Sequence, residues 1–480
     1  MISMSKNLKL TICLGGLLAP WLLASVSLPA VGGAGLTLDT VVTLPLLPNG
    51  NQAVLRAFDI SWVDGVGKGS GKGNGKGNGK GHGKGNGAGD GDGNGKASHT
   101  YALAASGLFC TTTPGATACD ATAIGPASMP GVVTIDTQTK AATLLAVGQF
   151  AGNCPTTGPT PAAVGQSGPN GLVIIGKEIW VGDAPIHSPP CTGTTITKNS
   201  TVKVLDFKGN IKQTILTGEV GLRGQARADE LCFNPSTNVV LVANDEPVDN
   251  FITFISTETY EVLGTIKFNG SDPNGNSILA NGIEQCAFNP TDNKFYLNIP
   301  ATLTGTPPNT TAAPGLVLRI SEQAPFHVEK VFTIAASTGC TGPQGLAVGP
   351  SNQMALGCGG ANSLVINAAD GTTAATVTGE GGTDEAWYNP TANQYYFARS
   401  GAGVLGVEDA GPPASAALTN NTTTAAGSHS VAADSTKDPH SKKSQVYVPI
   451  RTGVLSPTAT ICASKGGNNT YGCVAVFDAP

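Results

Sequence analysis

The chain has 480 residues, a net charge of −5, only 12% charged residues, and 65 glycines with 32 prolines. That balance offers no basic face for a nucleic acid, and so many turn formers leave little room for long amphipathic helices. The length exceeds what one hydrophobic core usually organises, so the chain is either several domains or one large closed repeat; its composition suits the repeat.

In chain order, Lys6 and Lys9 precede an apolar run over residues 10–26 and small residues ending at Gly32, Gly33 and Ala34. This is the pattern of a secretory leader over residues 1–34, and it implies export. Pro20 and the glycine pair inside the run argue against an uncleaved membrane anchor. Residues 36–44 then alternate in the β manner. After Asp59-Ile-Ser-Trp-Val-Asp64 comes a Gly/Lys-rich tract, residues 65–98, with Lys68, Lys72, Lys76, Lys80 and Lys84 at a period of four. It lacks the Gly-x-x-x-x-Gly-Lys-(Ser/Thr) of a phosphate loop. Asp90-Gly-Asp92-Gly-Asn94 begins like a calcium loop, but the twelfth position is Tyr101 instead of Glu. The tract reads as a disordered insertion replacing a tight turn, and its lysines would give salt-sensitive attraction to a polyanion such as an acidic polysaccharide.

The next elements repeat. Asp229-Glu-Leu-Cys-Phe-Asn-Pro-Ser-Thr-Asn238, Glu284-Gln-Cys-Ala-Phe-Asn-Pro-Thr-Asp-Asn293 and Asp384-Glu-Ala-Trp-Tyr-Asn-Pro-Thr-Ala-Asn393 align without gaps. Each is an acid, a short strand and an Asn-Pro-(Ser/Thr)-x-Asn turn, followed by a second strand: a β-hairpin. Weaker copies start at Asp59, Asn170, Gln344 and His429, which makes seven. Downstream, Ile135-Asp136-Thr137, Leu205-Asp206-Phe207, Ile255-Ser256-Thr257 and Ile366-Asn367-Ala368 each end a third strand and lead to a fourth. Seven four-stranded units predict an all-β, seven-bladed β-propeller. The last copy stops one strand short, so residues 36–44 are expected to pair with residues 474–478 and close the ring, leaving no open sheet edge and a monomer. Trp62, Trp180 and Trp387 fall on predicted strands and read as core.

Eleven cysteines are present, and loss of Cys13 with the leader leaves ten. An even number in an exported chain favours disulfides. Short separations nominate Cys110 with Cys119, Cys340 with Cys358, and Cys462 with Cys473; Cys154 with Cys191 and Cys232 with Cys286 would complete the set.

In a propeller, equivalent positions at the start of the innermost strands surround the central axis at one end. Asp59, Asn170, Asp229, Glu284, Gln344, Asp384 and His429 are therefore expected to form a ring. Clustered carboxylates raise one another's pKa unless a cation intervenes, and Asp, Glu, Asn and Gln oxygens suit calcium.

This blade grammar resembles the propeller group that includes YVTN and NHL repeat proteins and, more distantly, gluconolactonase, strictosidine synthase and paraoxonase-like enzymes. The resemblance spans nearly the whole chain after the leader. It implies an axial Ca²⁺ held by Asp59, Asn170, Asp229, Glu284 and Asp384, with His429 as a general base beside it. Departures are the paired acids Glu230 and Glu385 and the lack of any lactonase-specific motif. The resulting expectation is a secreted binding or scaffold propeller that meets an extracellular ligand or protein through one face. The alternative is a metal-dependent hydrolase of the lactonase or esterase type.

Overall fold

The computed structural model describes residues 35–64, 99–109, 123–154, 167–191, 195–218, 226–245, 249–272, 275–306, 309–411, 418–452, 461–467 and 470–480. The chain divides into Met1–Gly32 and Gly33–Pro480. The expected leader, the glycine–lysine tract and the Cys110–Cys119 pair lie outside the described residues.

The second unit is a seven-bladed β-propeller of four-stranded antiparallel sheets. Among the described residues there is no α-helix. The innermost strands of blades 1 to 7 are Ser61–Val63, Leu172–Ile175, Arg227–Asn234, Cys286–Asn289, Pro343–Val348, Thr383–Asn389 and Ala432–Asp434. Blade 7 is completed from the other end of the chain. Thr37–Val42 pairs antiparallel with Cys473–Asp478, with Thr37 opposite Asp478 and Val42 opposite Val474. The expected closure therefore holds, and it joins two distant segments of the chain in one hydrogen-bonded sheet.

Local turn chemistry explains why the repeat has its form. Asn234, Asn289 and Asn389 are fully buried, and each side-chain oxygen accepts the backbone N–H two residues on, at 2.8, 2.9 and 3.0 Å. The last turn residue is left-handed every time: Asn238, Asn293 and Asn393 have φ of 56°, 59° and 54°. Asparagine tolerates both roles, which few other residues do. In blade 5 the turn begins with Gly349 because a Cβ there would lie 1.8 Å from the Tyr395 hydroxyl oxygen.

Apolar faces of adjacent blades pack together, so the core is a ring of interblade clusters rather than one centre. Trp180 and Trp387 are buried within it. Trp62 touches clusters from several blades and meets Trp387 edge to face at 5.0 Å. These two indoles come from the inner strands of blades 1 and 6. Among the described residues four disulfides form: Cys154–Cys191, Cys232–Cys286, Cys340–Cys358 and Cys462–Cys473.

Strand direction makes the two faces unequal. Connections from second to third strand, and from each outer strand to the next blade, emerge where the innermost strands begin. That face carries two extra hairpins, Ile186–Ser188 with Thr195–Lys198 and Thr302–Thr306 with Asn309–Ala313. The other face carries mostly tight turns, together with Asp64 and His99, the residues flanking the tract.

Candidate functional site

The innermost strands turn an unpaired edge toward the axis, and backbone groups on such an edge need partners. Side chains of neighbouring blades supply them. Ser430 Oγ accepts from the Ser61 N–H at 2.8 Å, and Gln285 Oε1 accepts from the Leu346 and Ala386 N–H groups at 2.5 and 3.2 Å. Glu385 Oε2 accepts from the Val431 N–H at 3.0 Å. One of the paired acids thus caps the neighbouring blade's inner strand.

Toward the strand starts lies a polar chamber of about 190 Å³, lined by Asp59, Ile60, Arg227, Asp229, Glu230, Glu284, Gln344 and Asp384. Five of the seven expected ring residues meet there. His429 sits at the edge: its Nε2 is 3.6 Å from Asp59 Oδ1, its Nδ1 donates to the Gly427 carbonyl at 3.0 Å, and its ring stacks on Phe58 at 4.6 Å. Asn170 is buried but turned aside, its amide donating to the Ala228 carbonyl at 3.3 Å. Gln344 Nε2 donates to Asp384 Oδ1 at 3.1 Å.

Arg227 is the residue that the sequence reading missed. Its Nη2 lies 2.6 Å from Asp229 Oδ2 and 3.4 Å from Asp245 Oδ2, and its Nη1 is 3.9 Å from Asp59 Oδ2. A signal for it exists two residues before each ring position. The residues there are Ala57, Gly168, Arg227, Gly282, Gly342, Gly382 and Gly427, so blade 3 alone departs from a small residue. Arg227 can take the place because it begins a strand, whereas Gly282, Gly342, Gly382 and Gly427 have φ between 62° and 89°.

The electrostatics follow from burial and pairing. Burial acts against the ionised form of Asp59, yet the His429 bond and the Arg227 charge hold it below the usual carboxylate range. Burial lifts Asp229 well above that range despite Arg227, and it lifts Glu284 likewise, helped by the charge of Asp384. Asp384 is raised by burial against the opposing pull of His429. Burial and the charge of Glu385 push Glu230 up. His429 is raised in spite of burial by its bond to Asp59 and the charge of Asp384. The chamber thus sets the Arg227 guanidinium and the His429 ring against Asp59, and burial disfavours charge on the other carboxyls.

The donor set does not fit an axial calcium as the resemblance draws it. Asn170 points elsewhere, and Asp59 and Asp229 already face a guanidinium. His429 has one ring nitrogen on a carbonyl and the other toward Asp59, an arrangement that makes it a counter-charge more readily than a free base.

No family model and no curated protein matches the chain. Among solved structures it is similar to a chain of the mitotic checkpoint complex, at 12% identity and TM-score 0.45 over 79% of this chain and 83% of that one. It is also similar to a chain of the nidogen/laminin complex, at 9% and 0.37 over 61% and 90%, and to U3-55K, at 9% and 0.42 over 74% and 93%. Resemblance at this level transfers no ligand or activity. Fold and site define a closed propeller with an acid-lined axial chamber.

Proposed function

We propose that the protein is an exported binding module that receives its ligand or partner on the face around the axial chamber. The observation that carries this is the placement of the cross-links. Cys154–Cys191, Cys340–Cys358 and Cys462–Cys473 all tie down connections on that face, and Cys232–Cys286 joins two inner strands beside the chamber. Pinned loops bind with less ordering cost, and four disulfides suit an oxidising, extracytoplasmic setting. The blade grammar of YVTN- and NHL-type propellers supports the same reading. Within the chamber acceptors outnumber donors, so the entering group is a hydrogen-bond donor such as a hydroxyl cluster or an amine.

The test is a screen of the secreted chain against extracellular glycans and peptides, repeated with Gln344→Trp at the chamber and with Lys208→Glu on the opposite face. Binding is expected to be lost in the first variant and kept in the second; the reverse pattern overturns the proposal. The second reading, lactone or ester hydrolysis, draws on His429 beside Asp59. It prevails if a lactone or ester panel yields turnover that His429→Ala abolishes in a folded protein.

A further inference from the structure

Going beyond the binding reading, we infer that Arg227 is the built-in axial cation of this propeller. Its guanidinium does for the ring carboxylates what a divalent ion would do. Replacing it with glycine, the residue at that position in five other blades, turns the chamber into a divalent-cation site.

Three observations converge. The first is geometry: one guanidinium lies between carboxylates of two blades, Asp59 from blade 1 and Asp229 and Asp245 from blade 3. It is a planar donor fork, held at the axis by a strand, with three oxygens around it. The second is repeat position. The backbone preceding every other ring residue carries Gly or Ala, so no other blade can send a long side chain to the axis from there. The third is charge. Among the described residues lining the chamber, Arg227 is the one basic side chain, against five carboxyls. Without it, Asp59, Asp229 and Asp245 would lose the cation they face, in a chamber that Glu284 and Asp384 also line. Hard oxygen donors of this kind are what calcium takes.

A covalently held cation also has a consequence that a bound ion lacks. It cannot dissociate, so the ring stays assembled whatever the calcium level or chelator around it.

The experiment uses the full secreted chain. Melting temperature is measured in EDTA and in millimolar CaCl₂, with calorimetric titration of Ca²⁺, for wild type, Arg227→Gly, Arg227→Gln and Arg227→Gly/Asp384→Asn. The wild type is expected to melt at one temperature in both buffers and to show no binding heat. Both single variants should melt lower in EDTA and recover with Ca²⁺, and Asp384→Asn should remove that recovery. A wild type that loses stability in EDTA and regains it with Ca²⁺ overturns the inference. So do folded single variants indifferent to Ca²⁺. If Arg227→Gly does not fold, Arg227→Gln decides. Failure of both to fold with or without Ca²⁺ also counts against it, because no ion then replaces the guanidinium.

Discussion

In blade 6, Glu408 stands opposite Tyr395 on the third strand, fully buried, and neither carboxyl oxygen has a hydrogen-bond partner among the described residues. Burial, with the charge of nearby Glu380 added, pushes its pKa from 4.5 to about 8. Glu380, 3.2 Å from Arg399 Nη1, is pushed by burial to about 7 despite that partner. The unfolded chain releases the Glu408 proton near pH 4.5, whereas the folded chain keeps it until about 8. Stability therefore falls as pH rises across that window and is unaffected below it. At ~1.36 kcal/mol per pKa unit, the penalty is about 3 kcal/mol at pH 7 and about 5 kcal/mol at pH 9. Glu408→Gln stays neutral throughout and removes this slope. A chain of this length shifts its melting temperature by roughly 1 °C per kcal/mol. The variant should thus match wild type at pH 4 and melt about 3 °C higher at pH 7 and about 5 °C higher at pH 9. Calorimetric melts across pH measure this. A difference that does not grow with pH, or a variant less stable at pH 9, refutes the reasoning.

Three further outcomes follow from other parts of the fold. Deleting residues 35–42 strips Cys473–Asp478 of its outer partner and exposes a sheet edge, so the product should melt lower and aggregate on size exclusion; an unchanged monomer would mean that blade 7 closes in another way. Asn238→Val places a β-branched residue at φ 56° and should cost ~1–2 kcal/mol by urea denaturation, whereas Asn238→Gly should cost less than half of that. His99 Nδ1 lies 3.1 Å from Asp434 Oδ1, and that bond raises the histidine's pKa against the effect of burial. A raised imidazole stabilises the fold below its unfolded value of 6.5 and loses that contribution as pH rises through the folded value. Wild type, but not His99→Gln, should therefore lose stability on passing upward from pH 6.5, with a proton NMR titration locating the folded pKa; identical pH profiles would remove the pair's role.

The blades were legible because their determinants are local. An asparagine that must accept an amide two residues on, and another that must turn left-handed, write the same turn into blades 3, 4 and 6. The register of that turn fixes which residue lies at the start of each inner strand, so the places of Asp59, Asp229, Glu284, Gln344 and Asp384 around the axis are written in the repeat itself. The missing final strand likewise foretold the pairing of the two ends of the chain. What the repeat could not contain is where a side chain turns after it reaches the axis. Asn170 bends to the Ala228 carbonyl, Trp62 meets Trp387 from two blades away, and Arg227 gathers acids from blades 1 and 3. These contacts join residues far apart in the chain, and each depends on which neighbour leaves space and charge uncompensated. The sequence by itself determined a closed ring with acids around its axis; only the tertiary structure decided that an arginine of the same chain would stand among them.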